Sequence, residues 1–187
     1  PFASLISIDD DGLPFVTHLP LVLEERATPG GTQGALVLLG HWLGYRVVAW
    51  DDRAELATAQ NVPDADVLLS GPLPEALIAQ PIDARTYVAV VTRNVDLDRQ
   101  ILPHLLATPA PYIGVMGSRR RWQETQRQLL ADGLSAERLG RITAPIGLEL
   151  NAESPAEIAV SIMAQIIMAQ RGGDGRTMAA PAAIVTR

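Results

Sequence analysis

From Tyr45 onward, short runs of β-branched and apolar residues alternate with longer stretches whose apolar positions recur every three or four residues. That alternation is the pattern of βαβ units around a parallel sheet. RVVAW (46–50) predicts the first clear strand, VLLSG (67–71) a weaker one, and TYVAVVT (86–92) a strand apolar throughout and suited to burial on both faces. YIGVMG (112–117) and RITAPIG (141–147) predict two more. DLDRQILPHLLAT, from Asp96, predicts a helix that Pro103 kinks or restarts, and RRWQETQRQLLADG one that ends at Gly133. The last helix has the most explicit start, with Ser154 as N-cap, Pro155 at N1 and Glu157 at N3. Its Ile158, Ile162, Met163, Ile166 and Ile167 make a broad apolar stripe that predicts core rather than a cofactor site.

The beginning follows another pattern. FASLISI, the turn DDDG and PFVTHLPLVLEE predict an antiparallel hairpin, with Gly12 supplying the positive φ of the turn. ATPGGTQG then predicts a loop, and ALVLLG a third apolar run able to supply a strand. The expected organisation is a β-hairpin segment over 1–41 and a Rossmann-like α/β domain, a three-layer parallel sheet, over 42–173. A tail over 174–187 has no period and is expected to be mobile.

Composition narrows the function classes. Of the 187 residues 48% are hydrophobic, but Pro, Gly and charges interrupt every run below the ~18 apolar residues of a spanning helix. The first residues carry Asp9, Asp10 and Asp11 in place of a basic leader, so the expectation is a cytoplasmic protein without membrane contact. The absence of cysteine excludes disulfides and thiolate metal sites, and His18, His41 and His104 have no second histidine at helical spacing, so no metal site is expected. A net charge of −6 argues against duplex nucleic acid, which demands a basic footprint. Against that acidic background Arg119, Arg120 and Arg121 stand together, and the chain contains no lysine.

LGYRVVAWDDR, DARTYVAVVTRNVDLD, PYIGVMGSRRRW and ITAPIGLELNAESPAEIAVSIMAQII, in that order, resemble the C-terminal Rossmann-like domain of the XdhC/CoxI family over about 41–173. That resemblance implies an accessory protein for the maturation of xanthine dehydrogenase and related molybdenum hydroxylases. PFASLIS, DGLPFVTHLPLVLEE and LLGH resemble the opening of the PaiB-like FMN-binding split-barrel proteins, which implies a flavin ligand. In XdhC-like proteins a strand, a glycine-rich turn and most of a helix precede the LGYRVV strand. Here ALVLLG runs almost directly into WLGYRVV, whereas counting back ~20 residues from Asp51 lands on TPGGTQ, with Gly30 and Gly31 near the place of the phosphate-binding glycines. Neither register restores G-x-G-x-x-G between a strand and a helix. The glycine loop is therefore read as missing or degenerate, and binding of NAD(P) is expected to be weak.

Candidate chemistry gathers at the predicted carboxyl ends of strands. Asp51 stands where such folds accept hydrogen bonds from a ribose hydroxyl, or else it or Asp52 caps the next helix. Gly117, Ser118, Arg119 and Arg120 combine a strand end, an N-cap hydroxyl and guanidinium groups in the first helical turn, a pattern suited to an anion. Thr92 and Asn94 follow the TYVAVV strand, and Arg93 and Val95 stand where XdhC-like proteins often show histidines. Asn151, Glu153 and the Ala144 to Gly147 turn lead into the last helix and read as structural, and Thr17 and His18 as an exposed strand pair more than a flavin phosphate contact. No catalytic residue is assigned.

The favoured function is a non-catalytic accessory protein that holds molybdenum cofactor transiently, or an NAD(P)-like nucleotide or other small anionic ligand, and meets a molybdenum hydroxylase apoenzyme. A nucleotide-dependent oxidoreductase and an FMN-binding split-barrel protein are the alternatives, and a homo-oligomer is left open.

Overall fold

The computed structural model describes residues 2–8, 14–20, 31–92 and 94–178. Strands β1 (Phe2–Ile8) and β2 (Pro14–Pro20) pair antiparallel in the expected hairpin, whose turn, including Gly12, lies outside the described residues. Then follow helix α1 (Gly31–Trp42), β3 (Val48–Asp51), β4 (Val67–Ser70), α2 (Leu73–Ala79), β5 (Tyr87–Val90), α3 (Val95–Leu106) and β6 (Tyr112–Val115). The chain continues through α4 (Arg119–Ala131), α5 (Ala136–Leu139), β7 (Ile142–Thr143) and α6 (Pro155–Arg171). All ladders after the hairpin are parallel, and the fold is the expected α/β Rossmann architecture.

The ALVLLG run is helix, not strand. It lies inside α1, which crosses the expected division at residue 41, and buries Gly34, Ala35, Val37 and Gly40 on one face. A short apolar run carries no periodicity to separate a strand from a buried helix. Here Leu36 and Leu39 join Ile162, Met163 and Ile166 of α6 in one cluster, while Val37 packs with Ala49 and Gly40 lies against Val47. The run 141–147 is also shorter as strand than expected: only Ile142 and Thr143 pair with β6, and the chain then turns through a cis Ala144–Pro145 bond.

Side chains of β5 and β6 alternate between two apolar layers, which is why both strands are apolar throughout. Val88, Val90, Ile113 and Val115 face a core with Leu102 of α3, Leu129 of α4 and Leu139 of α5. Tyr87, Ala89, Val91 and Tyr112 face α1 and α6 on the other side. Among the described residues the strands fall into separate sheets. Among the described residues β3 pairs only with β4, whereas β5, β6 and β7 form a separate three-stranded sheet with β6 in the centre. No strand among those described lies between 46–50 and 86–92 to carry the ladder across.

Helix ends follow the local chemistry. Ser154 accepts from Glu157 N–H while the Glu157 carboxylate accepts from the N–H of Ser154 and Glu153, the reciprocal capping box read in the sequence. Those hydrogen bonds hold the Glu157 carboxyl below its ordinary range. The α6 helix closes on Gly172 in the left-handed region, φ 74°.

Tyr112 gives the sheet a pH dependence. Its hydroxyl donates to Gln165 Oε1 at 2.6 Å, and burial pushes the phenol up to about 12. A group that ionises later when folded contributes stability that is intact below the unfolded value of about 10 and lost as pH rises through the folded one. Thermal melts across that window are expected to show a loss approaching about 2–3 kcal/mol. Tyr112→Phe should flatten this alkaline limb, and an unchanged limb in the variant would place its origin elsewhere.

Candidate functional site

The carboxyl ends of β5 and β6 lie side by side, because Val90 pairs with Val115 and Met116 N–H donates to Val90 O at 2.8 Å. From this edge Thr92 and Asn94 leave β5, and Gly117, Ser118, Arg119 and Arg120 leave β6. Arg93 lies outside the described residues. Ser118 is the N-cap of α4: its backbone is extended and its hydroxyl accepts from Arg121 N–H at 3.1 Å. Trp122 N–H donates to Ser118 O, the first bond of the regular helix ladder. The N–H groups of Arg119 and Arg120 have no partner among the described residues. Both side chains are exposed, neither forms an ion pair among the described residues, and the first turn of α4 contains no acid. Two amides and two guanidinium groups without partners among the described residues thus share one helix start, where the dipole already favours an anion.

Arg121, third in the run, does something else. It turns inward, Nη1 donating to Thr92 O at 2.7 Å and Nη2 to Thr92 Oγ1 at 2.9 Å and Asp98 Oδ2 at 2.5 Å. The Thr92 hydroxyl in turn donates to Asp98 Oδ1. Asp98 is fully buried and the Arg121 side chain is 18% exposed, so this is a largely desolvated ion pair that ties the loop after β5 to the first turn of α4. Gly117 makes room for it, since a Cβ there would stand 3.1 Å from Arg121 Cδ. The space among Asp98, Gly117, Arg121 and Trp122 is filled rather than open.

Each residue singled out in the sequence has a definite place. Thr92 belongs to the buried tie, and Asn94 caps α3 by accepting from Asp96 and Leu97 N–H. Asp51 ends β3, in the other sheet, and its carboxylate is engaged by Arg53 through the backbone N–H at 3.0 Å and Nε at 3.1 Å. It thus ends a strand of the other sheet, with Arg53 as its hydrogen-bond partner among the described residues. Gly31 opens α1 at φ 59°, so of the two registers for a glycine loop the helix start agrees with TPGGTQ, of which Gly30 lies outside the described residues. Among the described residues no group of His, Asp and Glu is placed to hold a metal ion, and no helix is long and apolar enough to cross a membrane.

Residues 30–166 match the family described as the XdhC Rossmann domain. The chain belongs to the XdhC family. It is 32% identical over 143 residues to the uncharacterized protein YqeB of Escherichia coli K12, covering 74% of this chain and 26% of that protein. It is 32% identical over 132 residues to a probable xanthine dehydrogenase subunit from Bacillus subtilis 168, covering 68% of this chain and 37% of that one. A crystal structure of a xanthine dehydrogenase from Bacillus halodurans superposes with TM-score 0.63 at 30% identity, over 75% of this chain and 42% of that one. This XdhC-family chain thus spans well under half the length of each of these relatives.

The sequence reading missed Arg121 and Asp98. The missing signal was rotational: successive residues on a helix differ by about 100°, so three consecutive arginines cannot share one face, and one of them must turn toward the sheet.

Proposed function

We propose that this XdhC domain serves the maturation of a molybdenum hydroxylase of the xanthine dehydrogenase type, holding molybdenum cofactor or a nucleotide-like anion at the start of α4 for transfer to the apoenzyme. The observation that supports this reading is the set of unpartnered donors on Arg119 and Arg120, backbone and side chain, beside the Ser118 cap. The name of the Bacillus subtilis relative is consistent with service to such an enzyme. The donor set suits a phosphate: amide N–H groups, guanidinium forks and a helix dipole, with no competing carboxylate in the turn. Arg119 and Arg120 would hold the phosphate of the pterin cofactor, and the bound group would supply the redox chemistry of the recipient enzyme. Within this chain the residues bind and orient, and no step of bond making is assigned to them.

A nucleotide-dependent oxidoreductase is less well supported, because no G-x-G-x-x-G run stands in the sequence before α1. Titration of molybdopterin into the protein, followed by pterin fluorescence, tests the proposal. Replacing both Arg119 and Arg120 with alanine should weaken binding about 10–100-fold, the fraction of two charge-assisted contacts that survives solvent screening. Thermal stability should hold or rise by a few tenths of a kcal/mol, since two cations leave the positive end of a helix. Equal affinities in the two forms would sink the assignment, and tighter binding of NAD than of molybdopterin would favour the oxidoreductase.

A further inference from the structure

Helices α1 and α6 pack side by side, and their carboxyl ends are joined by the Tyr45 hydroxyl, which donates to Gln170 Oε1 at 2.7 Å. That bond marks the flank of α6 that lies beside α1. Ile167 stands one turn before Gln170, and Val160 two turns before Ile167, so both occupy that flank, with half-buried Ala164 between them. On α1, Leu39 packs against α6, Trp42 follows it by one turn, and Leu38 lies one turn before Trp42. The outer side chains of this helix pair are open to solvent: Trp42 is 77% exposed, Leu38 53%, Val160 50% and Ile167 37%. Between Glu157 and Arg171 α6 has no charged residue, and α1 has no acid and no arginine. On the other side of the sheet α4 faces water differently, exposing Arg120, Gln123 and Arg127 at helical spacing. A stripe meant for water carries side chains of that kind, whereas a contiguous uncharged one headed by an exposed tryptophan marks a surface that meets protein.

We propose that the outer face of α1 and α6 joins two copies of this chain about a two-fold axis perpendicular to α6, so that the two α6 helices lie antiparallel. Charge selects both the occupant and the direction. The uncharged stripe of α6 is bounded by Glu157 at one end and Arg171 at the other, about 21 Å apart along the helix. An antiparallel pair sets Arg171 of each copy beside Glu157 of the other, so one surface supplies both halves of two ion pairs. A parallel pair would set like charge against like. The same axis brings Trp42 of each copy over Leu38 of the other, giving the contact the aromatic anchor that stable interfaces use. Because α3 and α4 lie on the opposite side of the sheet, the start of α4 stays open in both copies.

Sedimentation equilibrium on the full chain tests this, and should show a reversible dimer with a dissociation constant of about 10 µM or tighter. Val160→Glu and Ile167→Glu each place a carboxylate where the single chain already exposes the side chain, so far-UV circular dichroism should not change. Each should weaken the dimer at least about 100-fold. Arg171→Glu should weaken it about tenfold by setting two acids together at each end. Ile78→Glu is the control: Ile78, on α2, is 81% exposed and lies outside this face, and the constant should hold. Tryptophan emission should shift to shorter wavelength as concentration rises, and the shift should vanish in Trp42→Phe. A monomer at about 100 µM would overturn the proposal, as would a dimer that survives both glutamates or one that Ile78→Glu weakens equally. Emission from Trp42 already at short wavelength in the dilute monomer would also overturn it, by assigning the cover to the chain's own residues.

Discussion

Arg121→Ala is expected to destabilise the domain by about 3–5 kcal/mol, the largest loss of any single arginine here. The variant would leave Asp98, fully buried, as a carboxylate facing Thr92 alone. Removing one member of a buried pair costs more than the pair contributes, because the survivor keeps its desolvation penalty and loses its partner. Asp98→Ala should cost a similar amount for the converse reason, stranding a guanidinium whose Nε already lacks a partner. The double variant Asp98→Leu/Arg121→Met should recover much of the loss, since neither charge then remains. Urea unfolding of the four proteins gives the coupling directly. Additive single losses would mean that the pair is not a unit. Arg120→Ala, one residue earlier and exposed, should lie within about 0.5 kcal/mol of the parent.

Gly147→Ala is expected to cost about 2–4 kcal/mol, from two causes that act together. Its φ of 105° is one that L residues rarely adopt, and a Cβ there would collide with Ser161 Oγ. Ser161 cannot yield easily, because its hydroxyl donates to Leu148 O at 2.5 Å and its backbone is inside α6. The Gly147 N–H also donates to Gln165 Oε1 at 2.8 Å, the same oxygen that Tyr112 uses, so a shift of this turn would disturb the contact between β6 and α6. Gly172→Ala is the control: φ is 74° but nothing lies within 4 Å of the added carbon, and the cost should be only the left-handed penalty of about 1–2 kcal/mol. Comparable denaturation midpoints for the two variants would show that the clash at Ser161 relaxes freely.

What was legible in the sequence was legible for local reasons. The strands at 86–92 and 112–117 announce themselves because burial on both faces demands uninterrupted apolar residues, and α6 because its cap chemistry is confined to four consecutive positions. Ser118 was placed correctly as a cap by the same logic. The failures are all tertiary. ALVLLG could not be told from a strand without α6, whose packing selects the helix. Asp98 sits in DLDR, a stretch that reads as solvent-facing, and only the arrival of Arg121 from 23 residues away makes its burial tolerable. Asp51 ends its strand as the sequence indicates, and only the hydrogen bonds it accepts from Arg53, which depend on how the chain turns after the strand, were not visible there.

The inward turn of Arg121 also governs how the chain meets a protease. With no lysine in the protein, trypsin has only arginine bonds to cut, and three of them fall in succession at 119–121. Cleavage requires an extended backbone in the protease cleft, so these bonds become substrates only when the first turn of α4 unwinds. That unwinding cannot proceed while Arg121 remains fastened to Thr92 and Asp98. When reclosing is fast relative to cutting, the rate of nicking at this run measures the open fraction. A run of three arginine bonds thus becomes a gauge of how long its own fastening stays shut.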